Sequence, residues 1–280
     1  MVKLSLDLNS RTIYLLLILV VTIPVLSHTT LPVPVSDTTK AVYQFIENLA
    51  KMRPNSLVVL SFDYSTSNVP ELHPQAIVVT QQIFNLPLKV IFVAQWTDGP
   101  ALTNAVLDVI NKGSKKYGVD YATLGYIPNV ATLIGMTTNI QKFFPIDTRG
   151  NPTSSLQIIQ QFPAAKDASF LMTFTGGEPG LDNYLQYWQT PFKIPTAVGA
   201  TAISAPGYMP FYNSKQIVGI LISERAAAEY EFLTNEVDLS GAVSAMVAQS
   251  TSLLLIVVLV ILGNVKYFVR SRIVRKGREQ

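Results

Sequence analysis

Near the carboxyl end, twenty consecutive residues, MVAQSTSLLLIVVLVILGNV (246–265), carry no charge. Wound as a helix at about 1.5 Å per residue they reach about 30 Å, the thickness of bilayer hydrocarbon. A core helix of that length in a globular protein normally keeps a polar stripe, and this run has none. It therefore predicts a transmembrane helix. The whole chain fits that reading: only 14% of its 280 residues are charged and 49% are hydrophobic, against roughly a quarter charged in soluble domains.

The flanks set an orientation. The tail KYFVRSRIVRKGREQ (266–280) has six basic residues and one acid, a net of +5, whereas residues 28–250 hold 13 basic and 16 acidic side chains, a net of −3. Positive flanks stay in the cytoplasm, so the tail is expected inside and the large middle segment outside the cell membrane. A basic run directly behind a span suits anionic lipid, so the expected partner is the bilayer and not nucleic acid.

At the other end, TIYLLLILVVTIPVL (12–26) follows Lys3 and Arg11. A basic start and a short apolar run suit a signal peptide or a retained signal anchor alike, and Val25 and Ser27 make a tolerable cleavage site. The predicted organisation is a signal segment 1–28, a linker 29–39, an extracytoplasmic domain 40–236, a juxtamembrane stretch 237–245, a span 246–265 and a basic tail 266–280. Small residues at Gly241, Ala242, Ser244, Ala245 and Ala248 permit close helix packing, which suits membrane-protein partners or a homo-oligomer.

Between the ends, apolar β-rich runs alternate with helical patterns. Strands are expected at 56–64, 88–96, 119–127, 168–175 and 194–200. Helices are expected from about residue 40, at 74–84 with Pro74 in the first turn, at 98–118 closed by Gly118, at 129–143 and at 180–189. In the third of these segments, 98–118, Lys112, Lys115 and Lys116 would face the negative helix end. Residues 214–233 read as one helix in preference to a strand and a helix. Apolar strands separated by helices specify a parallel sheet covered on both faces. The expected fold is α/β, a doubly wound, flavodoxin-like sheet of about five strands, flanked by N- and C-terminal transmembrane segments.

Three stretches, KKYGVDYATLGYIPN, FFPIDTRGNP and QIVGILISERAAAEYE, resemble a group of uncharacterised prokaryotic membrane-anchored proteins. The likeness covers roughly the latter two thirds of the chain. It implies a prokaryotic membrane setting and brings no activity, cofactor or site residue.

Chemistry is constrained mostly by exclusion. The chain has no cysteine and two histidines, His28 and His73, so disulfides, thiolate metal sites, a cysteine nucleophile and histidine-rich metal sites are ruled out. No N-glycosylation sequon with a non-proline centre occurs. No G-x-S-x-G elbow accompanies His73. In doubly wound sheets ligands sit beyond the carboxyl ends of the strands, which nominates Asp63, Tyr64, Ser65, Gln95, Thr97, Glu178 and Thr201 as a binding rim. Asp63 holds the position of the nucleophile in haloacid-dehalogenase-type phosphatases, but Ser65 breaks their D-x-D pattern. DYSTSN (63–68) is similar to the hydroxyl-rich phosphate loop of flavodoxins without its glycine. The turn TGGEPG (175–180) precedes a helix as phosphate loops do, yet it matches neither glycine-rich signature, has no lysine, and sets Glu178 where the helix dipole already favours a carboxylate. A turn closed by its own glutamate is expected, one that would receive a cation, amine or hydroxyl group if anything. Tyr208, Phe211 and Tyr212 in GYMPFYNSK (207–215) form either a packed loop or a partner surface. No catalytic residue, metal or cofactor is assigned. The expectation is a membrane-anchored binding or assembly protein of a cell-envelope complex; the alternative is an envelope hydrolase or small-ligand sensor using Asp63 and Glu178.

Overall fold

The computed structural model describes residues 9–27 and 34–276, with side chains as far as 268. Lys3, His28, residues 29–33 of the 29–39 linker and the last four residues of the basic tail lie outside the described residues. Two compact units emerge, Pro32–Ala242 and a second built from the terminal helices.

The larger unit begins with α2 (Asp37–Met52), α1 being the N-terminal helix Ser10–Leu26. Ser36 caps α2: its side chain accepts from the Thr39 amide and its hydroxyl donates to the buried carboxylate of Glu229 at 2.6 Å. The chain then alternates through β1 (Leu57–Asp63), α3 (Val69–Asn85), β2 (Lys89–Ala94), α4 (Gly99–Val109) and β3 (Tyr121–Tyr126). A helical connection of α5 (Val130–Gly135), α6 (Ile140–Phe143) and α7 (Gln157–Gln161) leads to β4 (Phe170–Thr175). There follow α8 (Leu181–Tyr184), a π-helical turn Leu185–Gln189, α9 (Thr190–Phe192), β5 (Thr196–Ala200), α10 (Ala205–Asn213), β6 (Ile220–Ile222) and α11 (Ser223–Thr234).

All strand pairs are parallel. Strands β1 and β4 are buried along their whole length, as a sheet covered on both faces requires. Alternate residues feed the two sides. Leu57, Val59, Ile91, Val93 and Leu171 pack with Leu133, Ile140, Ile158, Tyr184 and Trp188 in one core cluster, and α2, α3, α4 and α11 cover the other face. The α/β expectation holds in this form: a six-stranded parallel sheet with helices on both sides.

The strand order differs from expectation. It is β3-β2-β1-β4-β5-β6, the order of dinucleotide-binding doubly wound folds, and not the flavodoxin-like 2-1-3-4-5. The 43-residue stretch 127–169 carries the chain from the β3 edge back to β1. Strand order is fixed by such a crossover, which local hydrophobic pattern does not encode. The sixth strand comes from 214–233, which is a strand followed by a helix. Ile220, Leu221 and Ile222 pair with β5 through Val198, Gly199 and Ala200, and Ser223 at φ 54° turns the chain into α11.

Three helix boundaries also move. α3 starts at Val69, so Pro74 lies inside it. Residues 129–143 form two short helices capped by Asn129 and Asn139. α4 stops at Val109, well before Gly118, because Gln81 captures the chain: its Oε1 accepts from the Asn111 amide at 2.7 Å while its Nε2 donates to the Asn111 carbonyl. Lys112, Lys115 and Lys116 consequently lie in a loop, with the Lys115 ammonium donating to the carbonyls of Leu86 and Leu88.

In the smaller unit, α12 (Ala242–Lys276) contains one stretch, Ala242–Phe268, long and apolar enough to cross a membrane, with a mean hydropathy of 2.5 over its most apolar 18 residues. The 17 residues of α1 reach only about 25 Å, so an N-terminal span, expected from the sequence, is not shown. Along α1 the residues withdrawn from the surface are Ile13, Leu16, Val20 and Pro24, one stripe at helical spacing, and the Thr251 hydroxyl of α12 lies 3.3 Å from the Val20 carbonyl.

Candidate functional site

The strand order puts a topological switch point between β1 and β4, the place where such sheets normally open a crevice for ligands. Asp63 ends β1 there and is completely buried. Its Oδ1 accepts from the Ser61 hydroxyl at 2.7 Å and the Gln95 amide at 2.6 Å, and its Oδ2 accepts from the Thr173 hydroxyl at 2.6 Å. Ser61 in turn accepts from the Tyr184 hydroxyl at 2.7 Å. One carboxylate thus joins β1 to β4, to the end of β2 and, through Ser61, to α8. Burial raises its pKa to about 6, against the opposing pull of the bonds from Gln95, Thr173 and Ser61.

The loops above it close on one another. The Gly176 amide donates to the Asp63 carbonyl at 3.1 Å, and a Cβ on Gly176 would stand 2.5 Å from Asn68 Oδ1. Trp96 Nε1 donates to the Pro179 carbonyl at 2.7 Å, and Gln95 Nε2 donates to that of Gly180 at 3.2 Å. Asn183 Nδ2 donates to Gln95 Oε1 at 2.8 Å. Side chains of the β1 and β2 loops therefore occupy the space between them and the 176–180 turn, where a pyrophosphate would need to enter.

Charge acts in the same direction. Glu71 lies in the first turn of α3 and accepts from the Ala202 amide at 2.7 Å. Asp98 stands at the N-cap of α4 and accepts from the Thr66 amide at 3.3 Å. Asp182 and Glu224 occupy the first turns of α8 and α11; burial, then the Glu71 charge, raises the Glu224 pKa. Carboxylates at helix N-termini neutralise the macrodipole, and together they leave a rim hostile to phosphate and compatible with cations, amines or hydroxyl groups.

The remaining nominated residues divide by exposure. Tyr64 is buried, with its hydroxyl 3.0 Å from His73 Nδ1; desolvation raises the phenol pKa and lowers that of the imidazole. Ser65 caps the short turn Thr66–Asn68. Gln95 is buried in the network above, whereas Thr97 and Glu178 are exposed. Thr201 is buried and accepts from the Ser204 amide at 3.2 Å before α10. The TGGEPG turn is closed by Thr175, whose hydroxyl bonds both the amide and the carbonyl of Gly177, and not by Glu178. Tyr208, Phe211 and Tyr212 lie on a helix instead of a loop; Tyr208 is buried and the other two are half-buried against the cluster of Leu181, Val198 and Ile220.

Sequence reasoning missed Ser61, Thr173, Tyr184 and Asn183. The available signal was a polar residue inside each of two apolar runs, SLVVLSFDY and FLMTFT, on the same face as Asp63. Among the described residues no group of three His, Asp or Glu side chains is placed to hold a metal ion. No protein-family model, no curated protein and no solved structure matches this chain.

Proposed function

We propose that the chain is a membrane-anchored protein whose α/β domain stands on the outer side of the cell membrane and acts by binding or assembly, as an accessory or structural component of a cell-envelope complex. One observation carries the choice of binding over catalysis: the carboxylate at the switch point accepts three hydrogen bonds and has no exposed surface. A general base or nucleophile must reach its substrate. The hydrolase reading would need Asp63 to leave that network. Anchoring draws on the apolar helix Ala242–Phe268, and the outward orientation on the basic residues that follow it. The expected partners are the lipid bilayer together with membrane proteins or further copies of the chain.

The absence of native cysteines makes the test direct. In intact cells of the source organism, a membrane-impermeant maleimide is expected to label a Lys166→Cys variant, since Lys166 is exposed on the domain. An Arg278→Cys variant should react only after lysis. Native electrophoresis of gently solubilised membranes should place the chain in a band larger than the monomer. The opposite labelling pattern would overturn the orientation, and a solely monomeric band would overturn assembly.

A further inference from the structure

At the edge of the sheet opposite Asp63, where β5 and β6 begin, lies a cavity of about 580 Å³, within the range of small-molecule sites, about 300–1,000 Å³. Its walls have two characters. Pro195, Ile217 and Val218 supply an apolar side, and Gln189, Asn213, Lys215 and Gln216 supply a polar one, with the Tyr212 ring between them. The side chains of Asn213, Lys215 and Gln216 and the Tyr212 hydroxyl have no hydrogen-bond partner among the described residues. No carboxylate lines the cavity.

The backbone holds this set in place. α10 ends in a tight turn in which the amides of Ser214 and Lys215 donate to the carbonyls of Pro210 and Tyr212, and those of Gln216 and Ile217 both donate to Phe211. Lys215 is left at φ 61°, a conformation a non-glycine residue adopts at a cost and keeps where its surroundings impose it. Below, the Val218 amide donates to the Thr196 carbonyl at 2.8 Å, which ties the floor to the sheet.

We infer that this cavity binds a pyranose-sized, polyhydroxylated ligand bearing one anionic substituent, a sugar acid of the uronate type. Three carboxamides each offer a donor and an acceptor, the pattern that vicinal hydroxyls require. The apolar wall and the tyrosine ring suit the C–H face of a sugar ring. Among the lining residues the Lys215 ammonium supplies the only formal charge, and it selects an anion over a cation. The site is separate from the Asp63 rim and stands whether or not the domain assembles with membrane partners.

Ligand-observed saturation-transfer NMR on the full chain in detergent, with glucuronate, glucose and glucosamine as probes, tests the inference. Glucuronate should bind, glucose more weakly, and glucosamine not at all. Lys215→Met should weaken glucuronate about tenfold, a loss of about 1.4 kcal/mol. The near-isosteric Asn213→Asp, which sets a carboxylate beside the anion, should abolish binding with the thermal midpoint unchanged. Absence of any glucuronate signal, equal binding of all three sugars, or glucuronate binding unaltered in both variants would each overturn it.

Discussion

Asp63→Ala is expected to lower folding stability by about 3–5 kcal/mol, a large part of the about 5–15 kcal/mol that holds a domain together. The loss arises from what stays behind. Ser61 Oγ, the Gln95 amide and Thr173 Oγ1 all donate to this carboxylate in a fully buried setting, and each orphaned donor costs about 1–3 kcal/mol. Asp63→Asn should cost only about 1 kcal/mol, because a carboxamide oxygen keeps the Ser61 and Gln95 bonds while its nitrogen donates to a Thr173 hydroxyl turned to accept. Guanidinium unfolding in micelles, followed by fluorescence of Trp96 and Trp188, separates the two variants. An alanine midpoint equal to that of the native chain would show that the network carries no stability, and with it would go the reason for reading Asp63 as structural.

The same carboxyl gives a pH signature. Its folded pKa of about 6 lies above the ordinary 3.8, so the folded chain holds a proton that the unfolded chain has released between those values. The stabilisation is complete below pH about 4 and is lost as pH rises through about 6, a span worth about 3 kcal/mol. Glu224 and Glu231 shift in the same direction, so the native chain alone does not isolate Asp63; its difference from Asp63→Asn does. That difference should move in favour of the native chain on acidification from pH 7 to pH 4. A flat difference would mean that the carboxyl titrates at its ordinary value.

What the sequence disclosed follows from the range of each force. Five strands and the apolar span were legible because hydrophobic runs report burial locally. β6 was not, since three residues, Ile220–Ile222, are too short to show a period against the helix former ERAAAEYE behind them. The end of α4 was invisible because Gln81, 30 positions away, captures Asn111; a long-range hydrogen bond overrode Gly118 as a stop. Asp63, Gln95 and Thr201 were correctly placed at strand ends, yet what fills the crevice, Asn68 against Gly176 and Trp96 on Pro179, depends on loops brought together by strand order. Strand order was the part of the fold that no local pattern carried.

Gly99→Ala should be the most damaging single methyl in the domain, at about 3 kcal/mol or more, the upper end for overpacking. Its Cβ would stand 2.2 Å from Ala94 Cβ and 2.4 Å from the Phe62 carbonyl oxygen. The second neighbour is backbone in a central strand and has nowhere to move. Gly99 does not adopt a left-handed conformation, so the cost is purely one of contact: the first turn of α4 lies against the sheet at a distance that excludes any side chain. Gly207→Ala provides the contrast, since it lies in α10 with nothing within 4 Å of the added carbon and should stabilise by about 0.5–1 kcal/mol through helix propensity. The consequence of Gly99→Ala reaches the rim. Displacing α4 moves Asp98 from the Thr66 amide and Trp96 from the Pro179 carbonyl, the contacts that hold the β1 and β4 loops together. Hydrogen exchange at the amides of residues 65–68 and 176–180 should therefore accelerate in Gly99→Ala and stay unchanged in Gly207→Ala. Unaltered protection in both would show that the closed crevice does not depend on α4, and the link from sheet packing to rim geometry would fail.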